Sequence, residues 1–77
     1  MEIKVLGTGC TKCERLEQLT RKTVEEMGIE ANIVKEEDIY KIMQYGVMRT
    51  PGLVINEKVV LSGRLPKSSE LRELLSE

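Results

Sequence analysis

The amino-acid sequence predicts an α/β fold: a mixed four-stranded sheet with helices on both faces. Three observations carry that expectation. A long helical periodicity lies between two short strand-like runs, and such a crossover implies a parallel pair. Two further β-rich runs are joined through only two residues, the spacing of an antiparallel hairpin. The chain then closes on a short amphipathic helix, so the order is strand, helix, strand, helix, strand, strand, helix.

Residues 2–6 read as the first strand, with Ile3 and Val5 alternating against Glu2 and Lys4. Gly7-Thr8-Gly9 breaks it as a loop. From about residue 11 to 27, Cys13, Leu16, Thr20, Val24 and Met27 recur at helical spacing, with Leu19 and Thr23 beside them. The opposite face is charged, Glu17 and Arg21 forming a favourable pair four residues apart. Gly28 supplies the left-handed stop.

Residues 29–35 read as the second strand, carrying Ile29, Ala31, Ile33 and Val34. Glu36, Glu37 and Asp38 suit the positive end of a helix whose apolar face is Ile39, Ile42 and Met43, with Gly46 ending it. Residues 47–51 read as loop, 52–55 and 58–62 as the hairpin strands around Asn56-Glu57, and 67–76 as the last helix, with Leu71, Leu74 and Leu75 on one face. Tyr40 and Tyr45 are expected to cover the edge of the core, and Met27 and Met43 to fill it.

Bulk properties exclude several classes of function. Seventy-seven residues amount to a single domain, 1–77, with a thin core, since a chain of this size buries only about 60% of its unfolded surface. A net charge of −1 with dispersed Lys and Arg, and an aromatic content of 3%, point away from nucleic acid. No run approaches the ~20 apolar residues that span a bilayer, so no membrane partner is expected. The amino terminus enters a strand directly instead of an apolar leader, and a cytoplasmic location is expected. There are two cysteines and no histidine, so imidazole chemistry is absent and any reaction runs on thiols, carboxylates, amines and backbone.

The two cysteines form Cys10-Thr11-Lys12-Cys13. A disulfide closing so short a loop contributes only about 2 kcal/mol of chain entropy, so the spacing suits switching better than stapling. Its position between a strand and the start of the longest helix places Cys10 near unpaired backbone N–H groups and the positive dipole end, which favour a thiolate. Thr8 as a cap and Thr11 with Glu14 as a capping box both keep Cys10 near that end. Lys12 adds a cation, and Cys13 lies one turn further in. The division of labour follows: Cys10 attacks a substrate disulfide and Cys13 resolves the mixed disulfide. No cofactor beyond the redox-active Cys10–Cys13 pair and no metal is expected in this reading.

Thr50-Pro51 precedes the hairpin, followed by Gly52. A proline there leaves neighbouring backbone free to pair with an extended substrate. Arg49 is either a solvated loop cation or a contact for a thiolate or an acidic substrate. Together, the CxxC at the first helix, Thr50-Pro51 before the hairpin, Gly63 after it and the closing helix resemble the thioredoxin-like superfamily. Gly7-Thr8-Gly9-Cys10 and Thr50-Pro51-Gly52-Leu53 are similar to its small archaeal and bacterial thioredoxin/glutaredoxin-like members, the redox-active disulfide proteins.

That resemblance spans the whole chain and implies a minimal thioredoxin-like fold with a central first strand. It implies Cys10 as nucleophile, Cys13 as resolving thiol and Thr50-Pro51 as a cis-proline substrate loop. Its partners would be disulfide-bearing proteins and a flavoprotein donor like thioredoxin reductase, and the protein would act as a monomer. The motif departs from Trp-Cys-Gly-Pro-Cys and from Cys-Pro-Tyr-Cys, and the first strand offers Glu2 and Lys4 where ordinary thioredoxins carry a buried acid. The rival reading is a soft-metal module using both thiolates, as in small copper chaperones. Those chaperones end in a strand, and Thr8 stands where their Met precedes the first cysteine.

Overall fold

The computed structural model describes residues 1–9 and 11–76. The elements are β1 (Glu2–Leu6), α1 (Thr11–Met27), β2 (Asn32–Glu36), α2 (Ile39–Gln44), β3 (Gly52–Ile55), β4 (Lys58–Ser62) and α3 (Ser68–Leu75). The strands form one mixed sheet in the order β2-β1-β3-β4. β1 pairs parallel with β2 and antiparallel with β3, and β3 pairs antiparallel with β4. This is the minimal thioredoxin-like arrangement expected from the sequence.

Alternation along the two central strands builds two cores. Ile3 and Val5 of β1 and Leu53 and Ile55 of β3 face one side, where they meet Leu16 and Val24 of α1 and Leu71 and Leu75 of α3. Leu6 and Val54 face the other side, against Ile42 of α2 and Val47. Covering both faces explains why every residue of β3 is buried. The first core is much the larger, because α1 and α3 pack side by side while α2 is a helix of only six residues.

Local chemistry sets the boundaries. Gly28, at φ 65°, ends α1, and the Ile29 amide returns to the Val24 carbonyl at 3.1 Å. Asp38 caps α2 by accepting from the Tyr40 amide at 2.9 Å. Asn56 and Glu57 both take positive φ, 49° and 68°, giving the hairpin the left-handed pair that a two-residue turn requires. Asn56 also closes the far end of the sheet, its amide donating to the Glu2 carbonyl at 2.8 Å and its side chain accepting from the Glu2 amide at 2.9 Å. Glu17 and Arg21 pair at 3.1 Å as expected.

Three expectations need correction. β2 starts at Asn32, three residues later than the apolar pattern suggested; Ile29 and Ala31 pack against the core from the turn after α1, outside the ladder. α2 buries only Ile42, while Ile39 and Met43 are exposed, because one turn and a half of helix presents a single side chain to the sheet. Met43 is therefore not core filler. Tyr40 is 76% exposed and covers nothing, whereas Tyr45 packs on the smaller core as expected. Among the described residues no helix is long and apolar enough to cross a membrane.

The correction to α2 gives a direct test. Ile42→Ala is expected to lower unfolding free energy by about 2–5 kcal/mol in urea titrations. Met43→Ala, one residue along, is expected to change it by less than about 0.5 kcal/mol.

Candidate functional site

The site gathers at one end of the sheet because of strand register. In the antiparallel β1–β3 pair, Leu6 lies opposite Gly52. The end of β1 therefore sits beside the start of β3, and the segment entering α1 shares an end of the sheet with Thr50-Pro51. Leu6 also lies opposite Glu36 of the parallel β2, and the Gly7 amide extends that ladder to the Glu36 carbonyl at 2.9 Å.

α1 begins at Thr11, which places Cys13 in its first turn. Thr11 is already helical, so the capping-box alternative with Thr11 as the cap does not hold. The Cys13 side chain is fully buried. It lies against Gly7: a Cβ built on that glycine would stand 2.6 Å from the Cys13 Cβ and closer still to its Sγ. Cys10, the expected nucleophile, lies outside the described residues, so its placement before the helix is not part of this geometry.

The Thr50–Pro51 peptide bond is cis. Pro51 is buried, and its carbonyl accepts from the Gly63 amide at 2.8 Å, which ties the segment before β3 to the loop after β4. Gly63, at φ 78°, also passes close to Arg49: a Cβ there would meet the Arg49 Cβ at 3.3 Å. The loop after β4 is held in turn by Arg64, which donates through both terminal nitrogens to the Glu70 carboxylate of α3. That bidentate bond is the main cause holding the Glu70 carboxyl below its ordinary range, and it raises Arg64 further above its own.

The structure thus brings Cys13, Thr50 and Pro51 to the same end of the sheet. Lys12 and Arg49 are both exposed, and among the described residues neither belongs to an ion pair. Two features escaped sequence reading. Gly7 reads in sequence as a loop breaker, yet its missing side chain makes room for Cys13. Lys4 of β1 points to the α2 side, donating to the Tyr45 hydroxyl at 2.8 Å and pairing with Glu57 at 3.2 Å. The Tyr45 hydrogen bond, then Glu57, raises the Lys4 ammonium above its ordinary value. The alternation of β1 signalled which way Lys4 faces; nothing local signalled its partners.

Comparison with known proteins decides the family. A thioredoxin-domain family model matches residues 1–76. The chain belongs to the thioredoxin family. It is 40% identical over 73 residues to a thioredoxin of Methanocaldococcus jannaschii, covering 95% of this chain and 84% of that protein. It is 34% identical over 76 residues to a thioredoxin of Methanothermobacter thermautotrophicus, covering 99% of each. A probable thioredoxin of Archaeoglobus fulgidus is 30% identical over 69 residues, covering 86% of this chain and 75% of that protein. Within the thioredoxin family the chain is a thiol–disulfide oxidoreductase, a disulfide reductase of the thioredoxin type.

The clamp on the loop after β4 has a pH signature. Because the folded carboxyl of Glu70 titrates below its ordinary 4.5, its contribution is complete above that value and lost as pH falls through the depressed one. Glu70→Gln is expected to lower the denaturation midpoint at neutral pH. The gap from the parent protein is expected to close as acidification carries the carboxyl through its depressed titration range, read by denaturant titration at each pH.

Proposed function

We propose that this thioredoxin-family chain reduces protein disulfides by dithiol exchange, with Cys10 attacking and Cys13 resolving. The observation that supports the reading best is the seat of Cys13: a thiol buried in the first turn of α1, three residues after the other cysteine. A shielded second thiol suits an intramolecular step. It reacts with the mixed disulfide at its own helix end and stays poorly accessible to bulk disulfides. Cys10 takes the attacking role because it precedes the helix in sequence, on the side where backbone N–H groups favour a thiolate.

Thr50-Pro51 is the substrate wall in this proposal. Proline donates no N–H, and Thr50 lies just outside β3, before Pro51 and Gly52, so an extended substrate segment can pair with backbone there. Exposed Lys12 and Arg49 add positive charge for acidic substrate flanks. The substrates are disulfide-bearing proteins, the electron donor is a flavoprotein of the thioredoxin-reductase kind, and the working unit is a monomer with no cofactor beyond its own cysteines. The soft-metal reading has less support, since α2 stands between β2 and the β3–β4 hairpin, where the copper-chaperone order runs from strand to strand.

Exchange assays on a disulfide-bonded protein test this reading. Cys10→Ser is expected to abolish reduction. Cys13→Ser is expected to form a mixed disulfide that persists on a non-reducing gel. Wild-type protein that leaves every disulfide intact, while binding Cu(I) tightly, would refute the proposal.

A further inference from the structure

We infer that Gly7 is a positioning residue for the resolving thiol: the strand end is left without a side chain so that Cys13 seats at the depth from which it completes exchange. This inference rests on the dithiol reading above. Gly9, Gly28 and Gly46 all adopt positive φ with open space where a Cβ would project. Gly7 does not: its backbone lies outside the left-handed region, so any residue could adopt it, and the constraint is space alone.

That space is filled by one residue. The nearest atoms to a Cβ at position 7 are the Cys13 Sγ, the Cys13 Cβ at 2.6 Å and the Cys13 Cα at 3.8 Å. Carbon atoms pack at about 3.5–4.0 Å, so a methyl group demands a retreat of about 1 Å. Rotating the thiol does not provide it, because the Cys13 Cβ is fixed to the α1 backbone. Gly7 is itself held, buried at the end of β1 with its amide on the Glu36 carbonyl of β2. The first turn of α1 must therefore move away from the strand, carrying Cys13 with it.

The affected step is resolution. The Cys13 thiolate attacks the Cys10 sulfur, a Cys10–Cys13 bond forms, and the bond between Cys10 and the substrate sulfur breaks. The substrate leaves as a thiolate and takes up, through water, a proton equivalent to the one the Cys13 thiol gave up on attack. The dithiol loses two electrons, and the substrate disulfide gains the same two. Attack by Cys10 on the incoming disulfide forms no bond to the Cys13 sulfur, so a displaced Cys13 slows the second step far more than the first.

Single-turnover mixing of reduced protein with dithionitrobenzoate separates the two steps, since each releases one coloured thiolate. Gly7→Ala is expected to slow release of the second equivalent at least about tenfold, as displacements of this size do in positioned reactions, while the first stays within about twofold of wild type. Gly28→Ala, which strains the backbone at φ 65° away from any contact, is expected to leave both phases unchanged. Second-phase release at the wild-type rate in Gly7→Ala, or equal slowing of both phases, would overturn the inference. If wild-type protein itself releases no second equivalent, the dithiol reading fails and takes this inference with it.

Should Gly7→Ala prove too unstable to mix, thermal unfolding with Cys13→Gly decides the matter. If the contact is with the Cys13 side chain, the methyl at position 7 destabilises a Cys13→Gly background far less than the wild type. An equal loss in melting temperature in both backgrounds, or failure to fold only when the two changes are combined, would overturn the assignment.

Discussion

Everything in this small protein hangs on β1 being paired along both edges and covered on both faces. Its parallel partner β2 and antiparallel partner β3 satisfy its backbone groups, and Ile3, Val5 and Leu6 are fully buried. A strand held this way has no freedom at its end. The chain leaving Leu6 passes through Gly7, still bonded to β2, and enters α1 at a set height above the sheet. The proposed chemistry belongs at that exit because it is the place where a rigid strand, a helix start and the beginning of β3 converge. A thin core suffices, since the most constrained element ends where the candidate site gathers.

Much of this was legible in sequence, where short-range chemistry decides structure. Alternation located β1, the two-residue spacing around Asn56-Glu57 located the hairpin, helical spacing located α1 to the residue at both ends, and Gly28 marked its stop. Cys13, placed by its spacing one turn into α1, is fully buried. The hairpin turn carried only Asn-Glu, a weak signal, yet both residues adopt the left-handed conformation because the strands on either side leave no other closure.

The misreadings have a common physical cause: apolar residues were assigned to a core before the geometry of the neighbouring element was known. Ile29 and Ala31 look like a strand because they are apolar and alternate, but the bond from Ile29 to Val24 keeps them in the helix exit. Ile39 and Met43 share a spacing with Ile42, but so short a helix offers the sheet only one of the three. Gly7 was invisible for a different reason. A glycine needed for turning has local company, such as a loop or a cap; a glycine needed for a close approach depends on a residue from the next element. The Lys4–Tyr45–Glu57 cluster is similar, joining a strand, the end of α2 and the hairpin turn across separations that no window of sequence spans.

The two faces of the sheet are unequal, and this sets where the molecule loosens first. Among the described residues, nine buried apolar side chains on one side lock α1 and α3 to the central strands, and four on the other hold α2 and the segment at Val47. The free energy of partial opening follows the apolar surface a unit conceals, so α2 belongs to the least protected tier of the structure. Opening of α2 would uncover β1 and β3 on one side only and leave α1 anchored through the larger layer. The molecule can therefore breathe on the α2 face while the helix bearing Cys13 keeps its footing, a separation of pliant and rigid halves within a single sheet.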